Sequence, residues 1–331
     1  MNPPKVDELD YIHFLIAAQR VFSAVEAARV SPDEQRQPAH DAYTRLLQRV
    51  PPDSKALWQE VQALVKLKRG VLVVDDTTLD KPYASHMGLV SRHWSGKHGK
   101  VVQGINLISL VWTDGTTRLP CDFRLYDKGQ DGLSKNAHFE QMVQQAHARQ
   151  FQPELVAFDS WYSSLDNLKL LRGYAWHWLT QLKSNRQVSE EAGGNQAIRD
   201  VLIPVNGRQV HLKGYGWIKV FRTVDRHGSA EYWATSRLDM TLEQCAFYAL
   251  DAWQIEVYHR GLKQFTGVER AQHRRAIAQR NHIGFAIRAF VRLEVLRLRT
   301  CCSYFEVKTA IIRDAIRAFL THPTVVLSAT A

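Results

Sequence analysis

Apolar positions recur at helical spacing over residues 7–30, 39–49 and 54–67, interrupted at Pro32, Pro38 and the Pro51-Pro52 pair. This pattern predicts an all-helical N-terminal domain, residues 1–69. Near Gly70 the period changes. VLVVDD (71–76) reads as a buried strand and VVQGINLISLVW (101–112) as a second, and a T-D-G turn at Thr113–Gly115 leads into a third, TTRLPCDFRLYD. SKNAHFEQMVQQAHAR (134–149) then reads as helix, ELVAFD (154–159) as strand, SSLDNLKLLRG (163–173) as helix and WHWLTQLK (176–183) as strand. Hairpin-like strands followed by alternating helix and strand predict a mixed α/β sheet over residues 70–184. Residues 185–236 break the rhythm: GGNQ gives a loop, and RQVHLKGYGWIKVFRTV and AEYWATS alternate as the antiparallel strands of a small β insertion. The helical period returns over 237–300 and continues in a C-terminal tail, 301–331.

Composition narrows the class. In 331 residues, 45% hydrophobic, 10% aromatic and 23% charged are globular values. No apolar run approaches the roughly 20 residues needed to span a bilayer, so no membrane partner is expected. The N-terminus, MNPPKVDELD, lacks an apolar signal core, which points to the cytoplasm. Cys121, Cys245, Cys301 and Cys302 lack metal-ligand spacing and read as free thiols. Lys plus Arg total 43 against 33 acids, for a net charge of +10 and a sequence pI near 9.5. That balance fits a polyanionic partner, although many basic proteins bind none. The distribution says more: residues 1–66 carry eight basic and nine acidic residues, whereas 256–300 carry ten basic (Arg260, Lys263, Arg270, Arg274, Arg275, Arg280, Arg288, Arg292, Arg297, Arg299) and three acidic. The second segment is either a phosphate-facing surface or a solvated helix face.

Two strands of the proposed sheet end in acid, at Asp75/Asp76 and at Asp159. Ligands of open α/β sheets bind at the carboxyl ends of strands, and carboxylates at adjacent ends repel unless a cation lies between them. Glu256 is a candidate third acid. On a helix Glu256, His259, Arg260 and Lys263 fall at i, i+3, i+4 and i+7, on one face. The alternative is a surface Glu256–Arg260 ion pair worth about 0.3–0.5 kcal/mol. Strand alternation turns Asp75 away from Asp76, which makes Asp75 structural in this reading. Thr77 and Thr78 cap the turn or support the carboxylate.

VVDDTT, SRHWSGKHGKVVQGIN, LPCDFRLY with KNAHF, AFDSWYSS, LTQLKSNR and WQIEVYHRGLKQFTGVER together resemble the DDE-type insertion-sequence transposases, cut-and-paste enzymes with a ribonuclease-H-like core. The resemblance runs from about Val71 to His282. It implies an α/β fold in which Asp76, Asp159 and Glu256 are the catalytic, metal-holding triad. It also implies a β insertion before the Glu helix, in keeping with the 97 residues separating Asp159 from Glu256. Carried further, it gives two Mg²⁺ ions (or Mn²⁺) about 3.5–4 Å apart, cleavage of transposon ends, and transfer of the freed 3′-OH to target DNA. Oxygen ligands without a nearby His/Cys set favour these ions over zinc. Lys263 matches the family's lysine for end phosphates; His259, Arg260, Arg270, Arg274 and Arg275 join it as candidate DNA contacts. Tyr215, Trp217 and Trp233 of the insertion are candidates for stacking on an unpaired base, Trp217 first. Trp161-Tyr162 is read mainly as packing that holds Asp159, with stacking on a base as the alternative. The implied partners are double-stranded DNA, as terminal inverted repeats and target, and a second copy of the chain pairing the two ends; the setting is a bacterial nucleoid. A departure stands where relatives carry a Tyr and an Arg seven and four residues before the Glu: here Ala249 and Ala252. Non-catalytic DNA-binding descendants and a nuclease without strand transfer are the competing readings.

Overall fold

The computed structural model describes residues 4–32, 37–51, 53–95, 99–190, 194–224 and 228–323. Pro52 of the Pro-Pro break, residues 96–98 of the SRHWSGKHGK stretch, Gly193 of the GGNQ loop and residues 324–331 of the predicted tail lie outside them. In chain order the helices are α1 (Glu8–Ala17), α2 (Ala24–Arg29), α3 (His40–Arg49), α4 (Lys55–Val61), α5 (Lys128–Asp131), α6 (Lys135–Ala148), α7 (Leu165–Gly173), α8 (Leu242–Ala252), α9 (Gln254–Phe265), α10 (Ala276–Thr300) and α11 (Tyr304–Thr321). The strands are β1 (Val71–Asp80), β2 (Ser91–Ser95), β3 (Lys100–Thr113), β4 (Arg118–Tyr126), β5 (Leu155–Phe158), β6 (Trp178–Leu182), β7 (Gln187–Ser189), β8 (Gln196–Ala197), β9 (Arg208–Leu212), β10 (Gly216–Val224) and β11 (Ala230–Thr235). Two compact units result, one of residues 54–84 and 89–259, the other of residues 1–53, 85–88 and 260–331.

The first unit is built on a single sheet, ordered β2-β3-β1-β5-β6-β11-β10-β9-β7-β8, with β4 also paired to β3. β1, β5 and β6 run parallel; β3 is antiparallel to β1. The order β4-β3-β1-β5-β6 is the ribonuclease-H-like arrangement. Its central strands read as continuous apolar runs because they are covered on both faces, and Val71–Val74 and Leu155–Phe158 are all buried. The start of β1 is pinned: Gly70 N–H donates to Glu154 Oε1 (3.2 Å), Glu154 N–H to the Gly70 carbonyl (2.9 Å), and Trp112 Nε1 to the Arg69 carbonyl (2.8 Å). α6 packs on β3, β4 and α7, and α8 on β1, β5 and β6. The strands of residues 185–236 do not close on themselves. They extend the same sheet, because β11 pairs with β6 from Tyr232–Leu182 to Thr235–Leu179.

In the second unit α1 packs on α10 and α11, and α3 on α2 and α10. The helical pattern predicted over 7–30 is broken in the structure: the chain leaves α1 at Ala18, and Ser23 caps α2 by accepting from Glu26 N–H. Asn281 donates to the carbonyls of Leu47 and Val50 at the end of α3, both at 2.8 Å, and the Tyr11 hydroxyl is 3.0 Å from His282 Nδ1. These bonds satisfy buried polar groups that would otherwise cost about 1–3 kcal/mol each. No helix among the described residues is long and apolar enough to cross a membrane.

Candidate active site

The register of the parallel pair fixes the site. Val74 of β1 lies beside Phe158 of β5, so one step further Asp75 stands level with Asp159. Alternation along β1 then sends the two adjacent acids to opposite faces. Asp76 turns toward α6: its Oδ2 accepts from Asn106 Nδ2 (2.6 Å) and Lys135 Nζ (2.8 Å), and its Oδ1 from the Tyr162 hydroxyl (2.8 Å). Asn106 can reach because it is the cross-strand partner of Thr78, two residues along on the same face. Lys135 sits in the first turn of α6, whose N-terminus is capped by Ser134 accepting from Ala137 N–H.

Asp75 turns the other way. One ligand atom each of Asp75, Glu256 and His259 lie within 4.8 Å of one another, and His259 Nδ1 is 4.0 Å from Asp75 Oδ2. α9 supplies both partners, since Glu256 and His259 are i and i+3 on its first turns. The neighbouring acids consequently differ in charge behaviour. Burial, then the charges of Asp76, Glu256 and Asp159, push the Asp75 carboxyl well above the usual carboxylate range. Burial also acts on Asp76, but the Lys135 ammonium and the hydrogen bonds from Asn106, Lys135 and Tyr162 outweigh it and hold Asp76 below that range. Environments that drive two carboxyls apart in this way separate an acid that takes up a proton readily from one that stays ionised.

Asp159 is exposed at the tip of β5 and caps the short 3₁₀ turn Ser160–Tyr162, its Oδ1 accepting from Ser160 N–H. Tyr162 is fully buried, stacked on Phe139 with ring centroids 5.5 Å apart, so this turn holds Asp76 as well as following Asp159. Asn167 locks the turn by donating to the Tyr162 carbonyl and to Asn136 Oδ1, both at 2.9 Å. Trp161 is 56% exposed, which removes it from the packing role expected of the pair.

Several expectations change here. Asp75, read as structural, is the strand acid that stands with Glu256. His259, read as a phosphate contact, is 2% exposed and faces Asp75, so a histidine does adjoin the acids. Of the candidate cations, Arg260, Arg270, Arg274 and Arg275 are exposed; Arg275 also donates to Gln48 Oε1 (2.6 Å), and half-buried Lys263 pairs with Glu269 (3.5 Å). Part of the basic segment is spent internally, because Arg288 binds Glu8 and Arg297 binds Glu294. Tyr215 is buried, accepting from Trp178 Nε1 at 2.9 Å, whereas Trp217 is 42% exposed on β10 with its ring edge-on to His211. Trp233 is half-buried and donates to Glu231. Asn106 and Lys135 carried no assigned role in the sequence and Tyr162 mainly a packing one; the signal was that they fall within the VVQGIN, KNAHF and AFDSWYSS stretches.

A family model described as a transposase DDE domain matches residues 66–291. No curated protein matches the chain. Among solved structures the chain is similar to the piggyBac transposase in a cryo-EM synaptic complex with hairpin DNA, with 11% identity, a TM-score of 0.49, and coverage of 96% of this chain and 73% of that one. The family match spans well over half of the sequence and takes in Asp75, Asp76, Asp159 and Glu256, and the chain belongs to the DDE-domain transposases.

Proposed function

We propose that this transposase cuts transposon ends and joins the freed 3′-OH to target DNA, using Asp76, Asp159 and Glu256 as its carboxylate triad with Asp75 as a fourth acid of the same centre. The observation that carries the reading is the convergence of the β1 acids, where β1 passes the end of its pairing with β5, and the acid after β5 with the first turn of α9, within 4.8 Å for Asp75, Glu256 and His259. The donor set fits a divalent cation: hard carboxylate oxygens suit Mg²⁺ or Mn²⁺, and clustered acids with one of them pushed toward protonation are short of positive charge. Asp75 or Asp76, Asp159 and Glu256 would hold the ions, which when bound lower the pKa of a water and stabilise a leaving 3′ oxygen.

The protein's own groups supply orientation. Asn106, Lys135 and Tyr162 fix both oxygens of Asp76, and the Ser160–Tyr162 turn fixes the backbone at Asp159. His259 faces Asp75 from α9 and limits how that carboxylate can rotate. Lys263 on α9 and the exposed Arg260, Arg270, Arg274 and Arg275 are the proposed phosphate contacts to double-stranded DNA. Two copies of the chain would pair the two ends.

The test is cleavage of DNA carrying the terminal repeats that flank the gene, with Mg²⁺ present. Asp159→Asn, Glu256→Gln and Asp76→Asn should each abolish nicking while end binding stays within about twofold. Nicking that survives Asp159→Asn or Glu256→Gln overturns the proposal. If Asp75→Asn abolishes nicking and Asp76→Asn does not, the strand acid of the triad is Asp75.

A further inference from the structure

We infer that Trp161, Lys183 and Lys135 form a platform for one unpaired nucleotide of a DNA strand, the base lying on the indole and the backbone phosphates meeting the ammonium groups. The inference rests on the proposed DNA chemistry and adds to it a subsite that neither the acids nor the basic C-terminal helices provide. Three parallel strands bring residues to this side of the sheet. Asp75 and Asp76 lie where β1 passes the end of its pairing with β5, Asp159 follows β5, and β6 is followed at once by Lys183, which is exposed. Lys183 Nζ lies 5.3 Å and Lys135 Nζ 5.8 Å from the centroid of the Trp161 ring. Both lie over the ring within cation–π range and leave the residue largely open to solvent.

The ring is displayed by a rigid support. Its neighbours Tyr162 and Ser163 are buried, Tyr162 bonds Asp76, Ser163 Oγ donates to the Ser160 carbonyl (2.7 Å), and Asn167 ties the turn to α6. Lys183 likewise leads a closed turn in which Arg186 N–H donates to its carbonyl at 2.9 Å. A large indole left 56% exposed on such a fixed turn, between two cations and two residues from Asp159, matches the requirements of single-strand binding: an aromatic face for any base and positive charge for its backbone. Lys135 adds a link to the acids, since the same ammonium is 2.8 Å from Asp76. A strand seated on Trp161 therefore approaches the carboxylates in a defined register.

Binding in a chelator separates this subsite from cleavage. Fluorescence anisotropy would compare a labelled oligothymidylate single strand with a blunt duplex of equal length across a salt series. Trp161→Ala should weaken single-strand binding about tenfold or more while duplex binding stays within about twofold, and Trp161→Phe should keep most of the affinity. Lys183→Ala should reduce the slope of log K against log salt by about 0.7 for the single strand. An unchanged thermal midpoint of Trp161→Ala shows that the fold is intact. Equal oligothymidylate binding by Trp161→Ala and the parent, or equal losses in Trp161→Ala and Trp161→Phe, overturns the platform. Because no cleavage is read, an inactive-site result against the triad leaves this test standing, and the reverse also holds.

Discussion

At the scale of single residues, charge placement does more here than charge count. Asp76 is ionised because three donors are spent on it, and two of them, Asn106 and the Tyr162 hydroxyl, are buried. Tyr162→Phe should cost about 1.5–3 kcal/mol by denaturant midpoint, the range for a hydrogen bond to a charged group, and should slow nicking without abolishing it. Asp251 shows the opposite case. Burial, then the charges of Glu154 and Asp114, raise its carboxyl to about 6. A folded-state value above the ordinary 3.8 means that the native chain binds more protons between those limits, so stability from this group is present below pH 4 and is lost as pH rises through 6. Asp251→Asn should therefore stabilise the protein by about 1–2 kcal/mol at pH 7, with the gain vanishing near pH 4 in a chemical-denaturation series. The same scale is where sequence reading was weakest. Acid at the tips of VLVVDD and LVAFD is visible because a charge ends an apolar run. The groups that position Asp76 come from 30, 59 and 86 residues away, and no local spacing records them.

At the scale of elements, long apolar or β-branched runs were legible, and β3, β4, β5 and β6 lie close to where the pattern puts them; β1 runs past VLVVDD to Asp80 with no turn at Thr77-Thr78, because β3 pairs it that far. β2 was not legible: Ser91–Ser95 is polar, with Trp94 69% exposed, and is a strand only because β3 offers it a partner. The helical run from Thr241 to Arg299 is divided at two places that periodicity passes over. One is at Trp253, between α8 and α9, and the other is the Thr266–Arg275 segment before α10. That second break turns on Gly267, whose φ is +66° and whose added Cβ would lie 2.4 Å from the Phe22 ring. Left-handed backbone costs a residue with a Cβ about 1–2 kcal/mol, and overpacking adds about 1–3. Gly267→Ala should thus lower stability by about 2–5 kcal/mol, read as a fall in thermal midpoint. A change below 1 kcal/mol would show that Phe22 can move aside.

For the whole molecule, a net charge of +10 has its largest effect through association with polyanions. Affinity for duplex DNA should fall steeply with salt, and neutralising Lys263, Arg274 and Arg275 together should flatten the slope of log K against log salt by about 2.7, or 0.9 per contact; an unchanged slope removes these residues from the interface. The continuous sheet carries a different consequence, for how the chain comes to be folded. β6 pairs with β5 on one side, and its other edge is covered only when β11, some 50 residues later, is in place. During synthesis the apolar strand WLTQL accordingly waits as an open edge, the kind of surface on which nascent chains pair with one another. Residues 185–236 therefore act as an intramolecular guard against aggregation as well as an appendage to the catalytic core. A chain stopped near Lys183 should collect in the insoluble fraction on expression to a greater extent than one extended past Thr235.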